Sequence, residues 1–132
     1  MKQKILADTS VWIEYFRGND EMTSFVEENL FEGKIYINGI VLAEIIQGIK
    51  SEKKSNELSS SISSIPYIDI AMSDWSLAGK ISRDLRKNGI TIPLTDIGLA
   101  ATAINNDLLI ATYDNHFKYI PDIDLLFFEK DP

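Results

Sequence analysis

Apolar residues follow two rhythms along this chain. Four short unbroken runs, Ile5-Leu6-Ala7, Ile35-Tyr36-Ile37, Leu108-Leu109-Ile110-Ala111 and Leu125-Leu126-Phe127-Phe128, are too short for helices and predict buried strands. Between them the spacing is mostly helical. Val11 to Arg17 predicts a helix that Gly18-Asn19 ends. Asp20 to Glu32 predicts another, with Met22, Phe25 and Val26 on one face and Gly33 as the stop. Ile40 to Ile49 is apolar nearly all round, which predicts a buried helix. From Lys50 to Ser64 a lysine cluster gives way to serines, yet Leu58, Ile62 and Ile65 keep helical spacing and predict an exposed helix. Pro66 opens a short extended piece, Tyr67-Ile68. Leu77, Ile81 and Leu85 predict an amphipathic helix over Asp74 to Lys87, ended by Asn88-Gly89. Thr95 to Asn105 is the last predicted helix, with Ile97, Ala100, Ala101 and Ile104 on one face.

Short apolar strands alternating with helices predict an α/β sandwich around a mostly parallel sheet. The chain has 132 residues and no internal repeat, so a single domain over 1–132 is expected. In open parallel sheets, ligands bind at the carboxyl ends of the strands. The residues that follow each apolar run are therefore the ones to search for chemistry.

Composition narrows the classes. The 13 Lys and Arg against 20 Asp and Glu give a net charge of −7, which argues against a cationic clamp on nucleic acid or a basic membrane-surface helix. It leaves open an enzyme that holds phosphates through metal ions. The absence of cysteine excludes disulfides, thiolate zinc sites and cysteine nucleophiles, and fits a reducing, cytoplasmic setting. With His116 as the one histidine, a metal site built from several histidines is excluded. No apolar run approaches the ~20 residues of a membrane span. Met1-Lys2-Gln3-Lys4 is slightly basic, but Asp8 interrupts the apolar stretch behind it, so no signal peptide is expected.

Four acids stand out by position. Asp8 directly follows the first strand, and Asp114 follows the Leu108 to Ala111 strand after Thr112-Tyr113. Asp96 opens a helix, where the backbone dipole tolerates negative charge. Glu44 lies inside Val41-Leu42-Ala43-Glu44-Ile45-Ile46, where a carboxylate needs a partner or costs several kcal/mol to bury. Taken singly, each has an ordinary reading as a cap, a dipole partner or a solvated side chain. Gathered at one edge, they would not. Two carboxylates ~4 Å apart repel by roughly 4 kcal/mol at an effective dielectric of 20. Such a group takes up protons or binds a cation, and oxygen ligands select hard ions such as Mg²⁺ or Mn²⁺. These ions suit phosphoryl chemistry, because they polarise a phosphodiester and acidify bound water.

These residues also resemble a known family. Asp8-Thr9-Ser10-Val11-Trp12-Ile13 looks like the opening motif of PIN-domain ribonucleases, and Glu44-Ile45-Ile46-Gln47-Gly48 like the second. Thr95-Asp96-Ile97-Gly98-Leu99-Ala100-Ala101-Thr102-Ala103 resembles the third, and Leu109-Ile110-Ala111-Thr112-Tyr113-Asp114-Asn115-His116-Phe117 the fourth. Order, spacing and length resemble the small toxins of VapC type. The resemblance implies a three-layer α/β/α fold and an endoribonuclease dependent on Mg²⁺ or Mn²⁺. It carries over Asp8, Glu44, Asp96 and Asp114 as the catalytic, metal-binding acids, with Asp8 and Asp96 as direct ligands. Thr112, with Thr9 or Ser10, would support the site through hydrogen bonds. It further implies an RNA substrate, a homodimer, and an antitoxin whose C-terminal segment occupies the active-site groove.

Other residues carry two readings each. His116 reads first as a loop residue, with a base or ligand role as the lesser alternative. Arg83, Arg86 and Lys87 share a helical face that reads as solvated or as a contact for RNA phosphate, and Lys50, Lys53 and Lys54 are equally ambiguous. Trp12, Tyr15, Phe16 and Trp75 read as packing residues rather than base-stacking platforms. Two further roles compete with the toxin: a PIN nuclease in RNA processing without an antitoxin, and a non-catalytic PIN-fold binding module.

Overall fold

In the computed structural model, which describes residues 3–130, the first apolar run is strand β1 (Ile5–Ala7). Met1 and Lys2 of the basic N-terminal stretch lie outside the described residues. After β1 come α1 (Thr9–Phe16), α2 (Asp20–Phe31), β2 (Ile35–Tyr36), α3 (Gly39–Gln47), α4 (Glu52–Ile62), α5 (Met72–Lys87), α6 (Leu94–Asn106), β3 (Leu109–Thr112) and β4 (Asp124–Phe127). A short 3-10 helix, Asn115–Tyr119, joins β3 towards β4. The strands form one parallel sheet in the order β2-β1-β3-β4. Leu6 stands opposite Tyr36 on one side and Ile110 on the other. Beyond β2, Ile37 bridges to Tyr67 of the short extended piece. This is the α/β sandwich around a parallel sheet that the alternation predicts.

β1 is buried whole and β3 is buried from Ile110 to Thr112, whereas β4 at the edge of the sheet is exposed at Asp124 and half-buried over the rest of its length. Leu6, Ala7, Ile110 and Ala111 are sealed from solvent, as are Val11, Trp12, Ile97, Leu99 and Phe117 from the helices around them. Each large aliphatic side chain so buried contributes ~1.5–3 kcal/mol. Trp12 is a core residue, and its indole Nε1 donates to the Ala7 carbonyl at 3.2 Å, so its one polar atom is satisfied. Polar side chains start the first four helices. Asp8 caps α1, Asn19 caps α2, Asn38 caps α3 and Ser51 caps α4, each accepting from backbone N–H groups of the first turn.

The helices form two groups. α1 packs on α2 and α3, and α3 on α4, while α5 packs on α6, which lies against β3. α4 is the exposed helix expected, with Ile62 its buried residue. α3 departs from expectation. Only Val41 and Ile45 are buried, while Ile40, Leu42 and Ile46 are half-buried and Ala43 is exposed. The helix is therefore covered on one face and only partly on the rest, and hydrophobic spacing does not report how completely a side chain is covered.

The seam between α5 and α6 is set by one buried acid and one glycine. Asp74 is 2% exposed. Its Oδ1 accepts from Asn105 Nδ2 at 2.7 Å, and its Oδ2 accepts from the Ala71 N–H at 2.9 Å and the Thr102 hydroxyl at 3.3 Å. Four residues before Thr102, a Cβ on Gly98 would stand 2.7 Å from Cζ3 of Trp75. Trp75 therefore packs where α6 has no side chain, as expected of a packing residue.

Candidate active site

The carboxyl ends of β1 and β3 lie side by side, with Ala7 opposite Ala111. Asp8 and Asp114 leave the sheet at that edge, α6 brings Asp96 in its first turn, and α3 brings Glu44. Asp8 is 5% exposed. Its Oδ1 accepts from the Ser10 N–H at 3.0 Å and the Ser10 hydroxyl at 2.5 Å, and its Oδ2 accepts from the Thr112 hydroxyl at 2.7 Å. Thr112 Oγ1 in turn accepts from the Asp114 N–H at 2.8 Å, and Ser10 Oγ accepts from the Tyr113 N–H at 2.9 Å. Two hydroxyls thus tie the ends of β1 and β3 together and hold Asp8 against the backbone that presents Asp114. Thr9 donates to Glu44 Oε1 at 2.7 Å, which joins α1 to α3. Each of Thr9, Ser10 and Thr112 therefore hydrogen-bonds one of the acids.

The electrostatics show strain in the ionised state. Burial pushes the Asp8 carboxyl up to about 6, although the bonds from Ser10 and Thr112 pull it down. Burial also raises Asp96; the Asp114 and Glu44 charges add to this, and the hydrogen bond from His116 opposes it. Among the described residues no lysine or arginine forms an ion pair with Asp8, Glu44, Asp96 or Asp114. A gathering of acids in which Asp114 and Glu44 raise Asp96, and which no lysine or arginine among the described residues neutralises, fits a divalent ion, whose charge would reverse the local balance. Asp96, Asp114 and His116 each offer a ligand atom, all within 4.8 Å of one another. Asp8 and Glu44 stand around this trio rather than in it.

His116 is the residue that sequence reasoning undervalued. Its Nδ1 lies 3.2 Å from Asp96 Oδ2 and 3.4 Å from Asp114 Oδ1. The local signal was the Asp-Asn-His spacing, since Asp114 Oδ1 accepts from the His116 N–H at 2.9 Å and starts the 3-10 turn. Arg83, Arg86 and Lys87 are exposed and share a shallow depression with Leu94, two residues before Asp96. On the other flank, a groove of about 650 Å³ between α1, α3 and α4 is lined by Ile13, Phe16, Ile45, Ile49 and Leu58, with Glu44 and Lys54 also on its walls. No helix among the described residues is long and apolar enough to cross a membrane.

Comparisons with known proteins agree with this geometry. A Ribonuclease VapC of Rickettsia bellii is 30% identical over 130 residues, covering 92% of this chain and 94% of the relative. Ribonuclease VapC1 of Methanocaldococcus jannaschii is 32% identical over 133 residues, covering 98% of this chain and 90% of the relative. In structure, the chain is similar to VapBC of Salmonella typhimurium bound to DNA, with a TM-score of 0.83 and 22% identity over 96% of this chain and 98% of that one. FitAcB of Neisseria gonorrhoeae superposes with a TM-score of 0.76 and 25% identity over 92% and 96% of the two chains. The model of the PIN domain matches residues 5–123, and the chain belongs to the PIN-domain family.

Proposed function

We propose that the chain is a divalent-metal-dependent endoribonuclease that acts in the cytoplasm as the toxin of a toxin–antitoxin pair. The observation that carries this reading is the convergence of Asp8, Glu44, Asp96 and Asp114 from four separate elements onto one strand edge, with no lysine or arginine among the described residues paired to them. The relatives named ribonuclease and the neighbours solved as VapBC complexes support it.

Asp96 and Asp114 would hold Mg²⁺ or Mn²⁺, with Asp8 beside them. When bound, such an ion polarises a phosphodiester and acidifies the attacking water. The rest falls to the chain itself. Ser10 and Thr112 hold the Asp8 carboxylate in one orientation, which keeps a buried charge ready without a search over rotamers. Thr9 holds Glu44, whose free oxygen is available to orient a water. Arg83, Arg86 and Lys87 would take RNA phosphates on the approach to Asp96, since the net charge of −7 cannot hold a polyanion.

The apolar groove that runs from Phe16 and Leu58 to Glu44 suits an antitoxin segment with apolar anchors and a basic side chain at the acidic end. This groove favours the toxin over a partnerless RNA-processing nuclease. A homodimer belongs to the same reading, and the exposed apolar surface of Met72 and Trp75 on α5 supports it. The decisive assay is cleavage of RNA by the purified chain. Cleavage should need Mg²⁺ or Mn²⁺ and vanish in Asp8→Asn and Asp96→Asn. Full activity in EDTA would overturn the metal mechanism. Growth arrest on expression, relieved by a partner encoded next to the gene, would establish the toxin role, whereas harmless expression of an active nuclease would favour RNA processing. Phe16→Asp should leave cleavage intact and abolish that relief.

A further inference from the structure

We propose that His116 is a metal ligand, and that its Nδ1 joins Asp96 and Asp114 in a mixed nitrogen–oxygen set that prefers Mn²⁺ to Mg²⁺. This rests on the reading of the acidic edge as a metal centre and adds a residue and a metal preference to it.

Three observations carry it. First, Nδ1 is 3.2 Å from Asp96 Oδ2 and 3.4 Å from Asp114 Oδ1. Ligand atoms on neighbouring corners of an octahedral site stand about 3 Å apart, so the spacing is that of a set able to close on one ion. Second, one nitrogen faces two carboxylates. A neutral imidazole carries a single N–H, so Nδ1 can donate to only one of these oxygens at a time. An ion satisfies all three: Nδ1 offers its lone pair and the proton moves to Nε2. Third, the ring is aimed by its backbone. The His116 N–H is held by Asp114 Oδ1 at 2.9 Å, at the start of the turn that leads from β3. The turn thus fixes the side chain's direction towards Asp96, which is 20 residues away in sequence.

The metal preference follows from the donor. Mg²⁺ favours oxygen and keeps its waters, whereas first-row transition ions accept imidazole readily. Two carboxylates without the histidine would discriminate weakly between Mg²⁺ and Mn²⁺.

The test uses the purified full chain and the metals alone, without RNA. Titration calorimetry gives the Mg²⁺ and Mn²⁺ affinities of the wild type and His116→Ala. Pulsed electron paramagnetic resonance on the Mn²⁺ form reads ¹⁴N coupling. The wild type should show a directly coordinated nitrogen and prefer Mn²⁺. His116→Ala should lose the nitrogen signal and bind Mn²⁺ about tenfold more weakly, with Mg²⁺ affinity little changed. The His116 side chain is 49% exposed, so the variant should fold, and its circular dichroism spectrum checks this. Mn²⁺ binding with no coordinated nitrogen would reduce His116 to a hydrogen-bonding partner of Asp96 and overturn the proposal, while the metal-centre reading stands. An unchanged Mn²⁺ preference in His116→Ala would do the same. Failure of the wild type to bind either ion would overturn both.

Discussion

Asp8 and Asp74 are both buried aspartates that accept three hydrogen bonds from hydroxyl and N–H donors, yet they belong to opposite kinds of site. Asp74 lies in the first turn of α5, and two of its donors come from α6, so its carboxyl group fastens two helices together. Asp8 lies at a strand end with Asp96, Asp114 and Glu44 gathered at the same edge. Burial alone therefore does not mark an active site. The mark is a carboxylate at an edge where further acids gather and where no lysine or arginine among the described residues pairs with them. The donors around Asp74 serve the fold, whereas burial makes the Asp8 charge costly to the fold.

The sharpest break between them is in substitution. If the proposed metal centre holds, Asp8→Asn or Asp96→Asn should lower RNA cleavage by about 10²-fold or more, because no neighbour can replace either carboxylate there. The same Asp8→Asn chain should melt at a higher temperature than wild type at pH 7 without metal, since an amide costs less to bury. Asp74→Ala should behave in reverse. It strands the Asn105 amide, the Thr102 hydroxyl and the Ala71 N–H, and urea unfolding should show a loss of roughly 2–4 kcal/mol. Cleavage by the folded fraction should be unchanged.

Acidity separates the two further. With its carboxyl at about 6 against 3.8 for an ordinary aspartate, Asp8 binds a proton more tightly folded than unfolded. Stability without metal should therefore fall as pH rises from about 4 to about 6, by up to about 3 kcal/mol from this group, and then level off. Chemical denaturation across that range checks the sign, and saturating Mg²⁺ or Mn²⁺ should restore the loss at pH 7. The smallest effect expected is at the basic slope. Arg86→Ala should weaken RNA binding a few-fold at low salt, with the difference shrinking as salt is added.

Much of this was legible because strand runs and helix stops are local signals. Ile5 to Ala7 was readable as a strand from three residues, and Asp8 as a polar exit from it. The rule that parallel sheets present their carboxyl ends pairs Asp8 with Asp114, whereas Glu44 and Asp96, inside helices, join them only through the resemblance to PIN-domain motifs. What could not be read depends on contacts across the chain. Asp74 looked like an ordinary first residue of a helix, because its partners Thr102 and Asn105 lie 28 and 31 residues further on. His116 looked like a loop residue because Asp96 is distant in sequence. The apolar surplus of α3 predicts full burial, yet Ile40, Leu42 and Ile46 are only half-buried, because hydrophobic spacing does not report how completely neighbours cover a side chain.

The pairing of Ala7 with Ala111 has a consequence for how tolerant this site is to change. Side chains alternate faces along a strand, and each residue advances ~3.3 Å. A slip of one position between β1 and β3 would turn Asp8 away from the Thr112 hydroxyl and displace it along the edge. β1 has only three residues with which to resist such a slip. The Asp8–Thr112 and Ser10–Tyr113 bonds lie at the end of this pair, so they act as a stop that sets its alignment. An insertion or deletion between Ile5 and Asp8 would thus disturb the proposed site as surely as a substitution within it, even with every acid still present.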